Sequence, residues 1–317
     1  MPRIFVCLLA FPFLLQAQER EFNFKNAADY NNFIMKEMAS TVQKNFEYIA
    51  FTVHSEEYDQ LEAKRKEVVD AIVVAKEHVR TLPALEGDTR LRDESVEVLN
   101  EYQKAFELDY KNVIGLKRKS RDSYETMASY FEAQDKAEEK VNKATQQLRK
   151  AQHAYAEKHN MKMGGHKSDD ELEAKMNKVV AVNNYWRSIF LEYFRISRQY
   201  DRMWDVLAEQ KAANIDRERL QTLKVIDQVL PQLRSRPDFN GDAEFRDQTV
   251  NMIEYFRSAA ANDFLRIVEI LTKKQLEQKD VNEVNAIINK CNSDHEQLSY
   301  NWNIASQDLL KRNVDKE

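Results

Sequence analysis

Pro83-Ala84-Leu85-Glu86-Gly87-Asp88-Thr89-Arg90-Leu91-Arg92-Asp93-Glu94-Ser95-Val96 returns 154 positions later as Pro237-Asp238-Phe239-Asn240-Gly241-Asp242-Ala243-Glu244-Phe245-Arg246-Asp247-Gln248-Thr249-Val250. Pro, Gly, Asp, the Arg-Asp pair and Val hold their spacing. The positions between them exchange like for like: Leu85 with Phe239, Leu91 with Phe245, Ser95 with Thr249, and further on Leu99 with Ile253 and Tyr102 with Phe256. The pattern predicts one unit built twice. Asn31-Asn32-Phe33 against Asn183-Asn184-Tyr185, at an offset of 152, reads as a second anchor of the repeat.

Helix breakers are scarce outward from this stretch. The five glycines are Gly87, Gly115, Gly164, Gly165 and Gly241, and beyond residue 12 the prolines are Pro83, Pro231 and Pro237. Apart from Gly115, the breakers fall in or beside the two loops, or at the midpoint, which marks a domain boundary. Apolar positions between them recur at helical spacing. The first helix runs from about Asn26 through Ile34, Met38, Val42, Ile49 and Val53. A second, capped by Ser55, runs through Leu61, Val68, Ile72, Ala75 and Val79 to about Arg80. A third reaches about Lys119, and a fourth spans Ser123 to about His159. Ser168 with Glu171, and Asp280 with Glu283, have capping-box spacing and are read as helix starts in the second half, where another helix reaches Leu230. The expected fold is all-α: two tandem, duplicated four-helix bundles, up-down-up-down, over residues 18–163 and 168–317, with 164–167 as linker.

The first residues read as an address. Met-Pro-Arg, an apolar run from Ile4 to Leu15 and the small Ala17 have the layout of a secretory signal peptide cleaved after residue 17. No later stretch is long and apolar enough to cross a bilayer. Removing one Arg and no acid leaves 47 basic and 53 acidic residues, a formal charge of −6. Both signs are interspersed, with no basic stripe of the kind nucleic-acid binding requires. Cys291 is the one cysteine left, so no intramolecular disulfide forms.

Three groups of residues are candidate sites. In the repeated loops, Asp88, Arg92 and Asp93 with Asp242, Arg246 and Asp247 could bind a polar ligand or partner, or could cap and brace the turns. On the third helix of each unit, Asp109 and Asp263 interrupt an apolar stripe (Val98, Tyr102, Ala105, Val113 and Leu116 in the first), so each is expected to face inward, as a ligand or as a hydrogen bond that fixes helix register. The metal candidates are His54 with Glu57, and His159 and His166 with Met161 and Met163, a set suited to a soft cation. The stripe Trp186, Phe190, Tyr193, Tyr200 and Trp204 is core by its spacing, or a haem or lipid groove. No nucleophile elbow, Walker loop, haem-attachment motif or zinc-protease motif occurs, and no cofactor or catalytic residue is expected.

Tyr30-Asn31-Asn32-Phe33 resembles the start of the mature part of secreted, strongly helical bacterial proteins grouped as domains of unknown function, some of them surface proteins. Gly164, His166 and Asp169 resemble the Gly-x-His-x-x-Glu of imelysin-like duplicated helical bundles, with Asp in place of Glu. The first resemblance implies an exported protein and no catalytic residue. The expectation is a binding or structural module of the cell envelope, in the periplasm, at the surface or outside the cell, whose partner is a protein or envelope component. The alternative is a periplasmic metal or small-ligand carrier with Asp109 and Asp263 as ligands.

Overall fold

The computed structural model describes residues 22–54, 57–161 and 167–314, and these are all-helical apart from turns and short loops, with no strand among them. The expected signal peptide, Ser55, and the Gly164–His166 segment lie outside the described residues. The elements are α1 (Ala27–His54), α2 (Tyr58–Arg80), α3 (Arg90–Lys104), α4 (Tyr110–Lys117), α5 (Tyr124–Lys158), α6 (Lys167–Leu207), α7 (Ala212–Ser235), α8 (Glu244–Ser258), α9 (Phe264–Leu271) and α10 (Gln278–Val314). Two π-turns, Ala105–Asp109 and Ala259–Asp263, join α3 to α4 and α8 to α9 into continuous rods.

Two apolar clusters organise the chain. One is built by α1 to α5 around Ile34, Leu61, Ile72, Leu99 and Phe106; the other by α6 to α10 around Ile189, Ile226, Phe256, Phe264 and Trp302. In α2 the residues Leu61, Val68, Ile72, Ala75 and Val79 are all buried, as their spacing predicts. Burying each of the larger ones is worth about 1.5–3 kcal/mol. The residues 154 positions further on, Ile215, Thr222, Ile226, Val229 and Leu233, are buried in α7. A third, smaller cluster of Met127, Phe131 and Phe194, flanked by Trp186 and Phe190, joins α5 to α6.

The ends of the helices explain several boundaries. Asn26 accepts from the amide of Asp29 at the start of α1. Ser123 and Thr126 form a reciprocal capping box on α5. The expected cap at Asp280 is displaced: α10 begins at Gln278, so Asp280 already sits in the first turn, and its carboxylate reaches back to the Glu277 amide. Ser168 likewise lies inside α6, which begins at Lys167. Helix α7 passes through Pro231 to Ser235 instead of ending at Leu230; the missing N–H removes one rung, and burial of Leu230 and Leu233 on either side holds the helix together.

Helix α1 departs from its expected face. Ile34 and Met38 are buried, but the inward positions that follow are Thr41 and Tyr48, while Val42 and Ile49 are each 43% exposed and Phe46 is 72% exposed. Two apolar stripes share this helix, and only one meets α2 and α3.

Candidate functional site

Each repeated loop is a miniature hairpin. In Leu85-Glu86-Gly87-Asp88 the two central residues have φ of 51° and 79°, and in Phe239-Asn240-Gly241-Asp242 they have 55° and 85°. Positive φ at both centres is the type I′ geometry, which glycine enters without steric cost. Reciprocal backbone bonds close both turns, Leu85 with Asp88 at 3.0 and 2.8 Å and Phe239 with Asp242 at 3.0 and 2.9 Å. Leu85 and Phe239 pack on their respective cores.

The repeated polar residues then lock the hairpin in place. Arg92 Nη1 donates to the Leu82 carbonyl at 2.9 Å and its Nε to Asp93 at 2.8 Å; Arg246 donates to the Arg236 carbonyl at 2.7 Å and to Asp247 at 2.8 Å. Asp88 Oδ1 accepts from the Arg90 amide and Asp242 Oδ1 from the Glu244 amide, which meets a free N–H at the start of α3 and of α8. The far sides of the two carboxylates grip the last turn of α5 and of α10. Asp88 takes Lys158 Nζ at 2.6 Å; Asp242 takes Arg312 Nε at 2.8 Å and Asn313 Nδ2 at 3.0 Å. Tyrosines of the first helices complete the frame: Tyr30 donates to the Pro83 carbonyl at 3.1 Å, and Tyr185 to the Pro237 carbonyl at 3.2 Å. These tyrosines set the equivalence of α1 and α6 at an offset of 155, in place of the Asn31-Asn32-Phe33 match at 152.

One position breaks the match between the loops. His159, which corresponds to Asn313, is almost fully buried against the Tyr155 ring, and its Nε2 sits 3.4 Å from Asp88 without making a hydrogen bond. Glu86 lies 3.7 Å from its Nδ1.

Asp109 and Asp263 do not face the cores. Their side chains are 24% and 15% exposed, and lysines close over them: Lys140 at 2.6 and 2.8 Å from Asp109, Lys290 at 3.1 and 3.0 Å from Asp263. The cause is the π-turn. Tyr110 N–H bonds to the Ala105 carbonyl and Phe264 N–H to the Ala259 carbonyl, five residues back, so each rod holds one residue more than a regular helix. A stripe counted at 3.6 residues per turn therefore lands on the acid, while the buried positions are Phe106 and Tyr110 in one rod and Ala260 and Phe264 in the other. In the first half the slip is held by Arg65, itself buried, which donates to the Phe106 carbonyl at 2.6 Å and pairs with Glu62. Arg219 pairs with Asp216 at the corresponding place in α7.

The metal candidates fall only in part within the described residues. His159 belongs to the loop frame, His166 and Met163 lie outside the described residues, and the side chain of His54 does too. Among the described residues no three His, Cys, Asp or Glu side chains come together as a cation site. No described helix is long and apolar enough to cross a membrane.

Compared with family models, curated proteins and solved structures, the chain matches none.

Two features went unread in the sequence. In the α6–α10 core, Tyr200 and Tyr255 bond through their hydroxyls at 3.2 Å, Tyr255 donates to the Cys291 carbonyl at 2.6 Å, and His295 stacks on Tyr255. Burial pushes the Cys291 thiol up to about 11, so it is an inert core residue. The second is Arg187, nearly buried, which crosses from α6 to bond Asp135 and Glu138 of α5 while covering the Phe131 ring. Arg195 lies over Tyr124 two turns further along.

The titrating groups give a pH profile. Burial lowers the pKa of His295, with Asp201 opposing, so the folded chain holds a neutral imidazole whose contribution is present above the unfolded pKa of about 6.5 and is lost as pH falls below it. Burial opposes ionisation of Asp88 and Asp242, but the bonds from Arg90 and Lys158, and from Arg312, the Glu244 amide and Asn313, hold both carboxyls below the usual range. Their contribution is complete above about pH 4 and is lost as pH falls through the depressed values. Thermal melts should therefore decline in two stages, a shallow one below about pH 6.5 and a steep one below about pH 4. His295→Gln should remove the first stage alone; a first stage that survives it would assign that stage to another group.

Proposed function

We propose that this chain is an exported, non-catalytic scaffold of the cell envelope, made of two duplicated four-helix bundles behind a cleaved signal peptide, and acting through its helical surfaces. The observation that carries the reading is where the repeated polar residues go. Tyr30, Arg92, Asp93 and Asp88, and their counterparts Tyr185, Arg246, Asp247 and Asp242, direct hydrogen bonds at their own frame. What recurs is a way of fastening a loop to two helix ends, and recognition is left to the faces between loops. Export rests on the Ile4–Leu15 run and Ala17, and the resemblance carried by Tyr30 to Phe33 supports a bacterial envelope protein.

Native mass spectrometry, with metal analysis of the same chelator-free sample, tests the reading. The expected result is the bare polypeptide mass from residue 18, and melting temperatures that stay put when divalent cations or Cu(I) are added. A stoichiometric metal or small molecule that raises the melting temperature would replace the scaffold reading with that of a carrier.

A further inference from the structure

The contact between α5 and α6 has a vacant counterpart at each end of the chain. On α6 it uses Arg187, Phe190 and Phe194; on α5 it uses Met127, Phe131, Asp135 and Glu138. At the 155 offset set by Tyr30 and Tyr185, the first three fall on Asn32, Met35 and Ala39 of α1. At the 154 offset set by the loops, the other four fall on Val281, Asn285, Asn289 and Asn292 of α10. Among the described residues neither place is covered by another helix: Asn32, Ala39, Asn285, Asn289 and Asn292 are exposed, as is Val281 at 42%, and Met35 is half-buried.

The residues on these two faces have changed together. Arg187 becomes Asn32 on one face while both its acids become asparagines on the other; Arg195 becomes Ser40 while its ring partner Tyr124 becomes Gln278. Had only one side lost its charge, docking would bury an ion without a partner, which strongly disfavours association. With both sides neutral, amide faces amide, and of the three rings Phe190 gives way to Met35, Phe194 to Ala39 and Phe131 to Asn285. Phe46 and Val42, exposed one to two turns beyond Ala39, extend the α1 face as an uncharged strip in a chain that is 32% charged, and charge depletion together with an exposed aromatic is the composition of an interface core.

We infer that a second copy of this chain docks the first half of its α10 against α1, repeating between molecules the contact that α5 and α6 make within one. The contact is heterologous, since each chain offers α1 at one end and α10 at the other, and it propagates copies head to tail. The inference rests on the equivalence of the two halves in the proposed scaffold.

Sedimentation of the purified full-length chain across concentration, with Ala39→Asp and Val281→Asp, tests it. The unaltered chain should form a concentration-dependent ladder, and each variant, with native helicity and melting temperature, should self-associate at least about tenfold more weakly. Because each variant keeps one live face, an equimolar mixture should form a dimer and stop there. Asn32→Arg combined with Asn289→Asp and Asn292→Glu, which installs the internal ion pair, should tighten the ladder. A chain that stays monomeric to about 1 mM, a mixture that stays monomeric, or a Val281→Asp chain that assembles as before would overturn head-to-tail docking. None of these outcomes bears on the ligand titration that tests the scaffold reading.

Discussion

Phe256→Ala should destabilise the chain by about 3–5 kcal/mol, the range for removing a fully buried ring. Phe256 is wholly buried, with the Tyr200 ring 4.2 Å away and nearly parallel, Tyr193 at 6.3 Å and His295 at 5.8 Å. Its loss would open a cavity between α6, α8 and α10, whose aromatic walls are too rigid to collapse into it. The two tyrosine hydroxyls at the rim, held to each other and to the Cys291 carbonyl, would keep their bonds and resist rearrangement. Urea denaturation followed by tryptophan fluorescence measures the effect well, because Trp186, Trp204 and Trp302 all belong to this half. Phe256→Leu should recover more than half of the loss. A cost under about 1 kcal/mol for Phe256→Ala would mean that the core repacks freely, contrary to the close ring geometry.

Asp88→Ala should cost about 2–4 kcal/mol, more than an exposed ion pair could account for. The carboxylate is only 3% exposed and joins three separate pieces of chain: the hairpin it closes, the Arg90 amide at the head of α3, and Lys158 in the last turn of α5. Removal would leave an orphan amide at one helix start and an unpaired lysine at another helix end. Asp242→Ala should cost less, about 1–3 kcal/mol, because Asp242 is more exposed and Arg312 keeps Glu244 at 2.9 Å as a second partner. Paired melts of the two variants decide it. Equal losses would show that burial does not control the strength of these anchors. A loss near zero in both would dismiss the loop as a fastening and return it to consideration as a binding site.

Much of this architecture was legible. The face of α2, the helix start at Ser123 and the two repeated turns follow from periodicity and turn chemistry, which act over a few residues. The failures have physical reasons of two kinds. Periodicity finds apolar stripes but does not say which one a neighbour covers, so Val42 and Ile49 on α1 were read as core when Thr41 and Tyr48 hold that place. It also assumes a constant pitch. One residue gained in each π-turn moved Asp109 and Asp263 from the expected interior to a lysine-covered edge, and composition gives no sign of such a slip. Partners far apart in sequence were also invisible. Asp88 could be read as a cap, but its hold on Lys158, 70 residues away, required the helices to be in place, as did the bridge from Arg187 to α5.

The two π-turns also divide each rod in time. At Ala105–Asp109 and Ala259–Asp263 the hydrogen-bond ladder changes step, and in the first rod a carbonyl at the slip accepts from a side chain of α2. A helix opens most readily where its ladder changes step, so the amides of α4 and α9 can exchange with solvent in excursions that leave α3 and α8 closed. Each rod is continuous to the eye yet has a joint within it, and deuterium would enter the segment beyond the joint first.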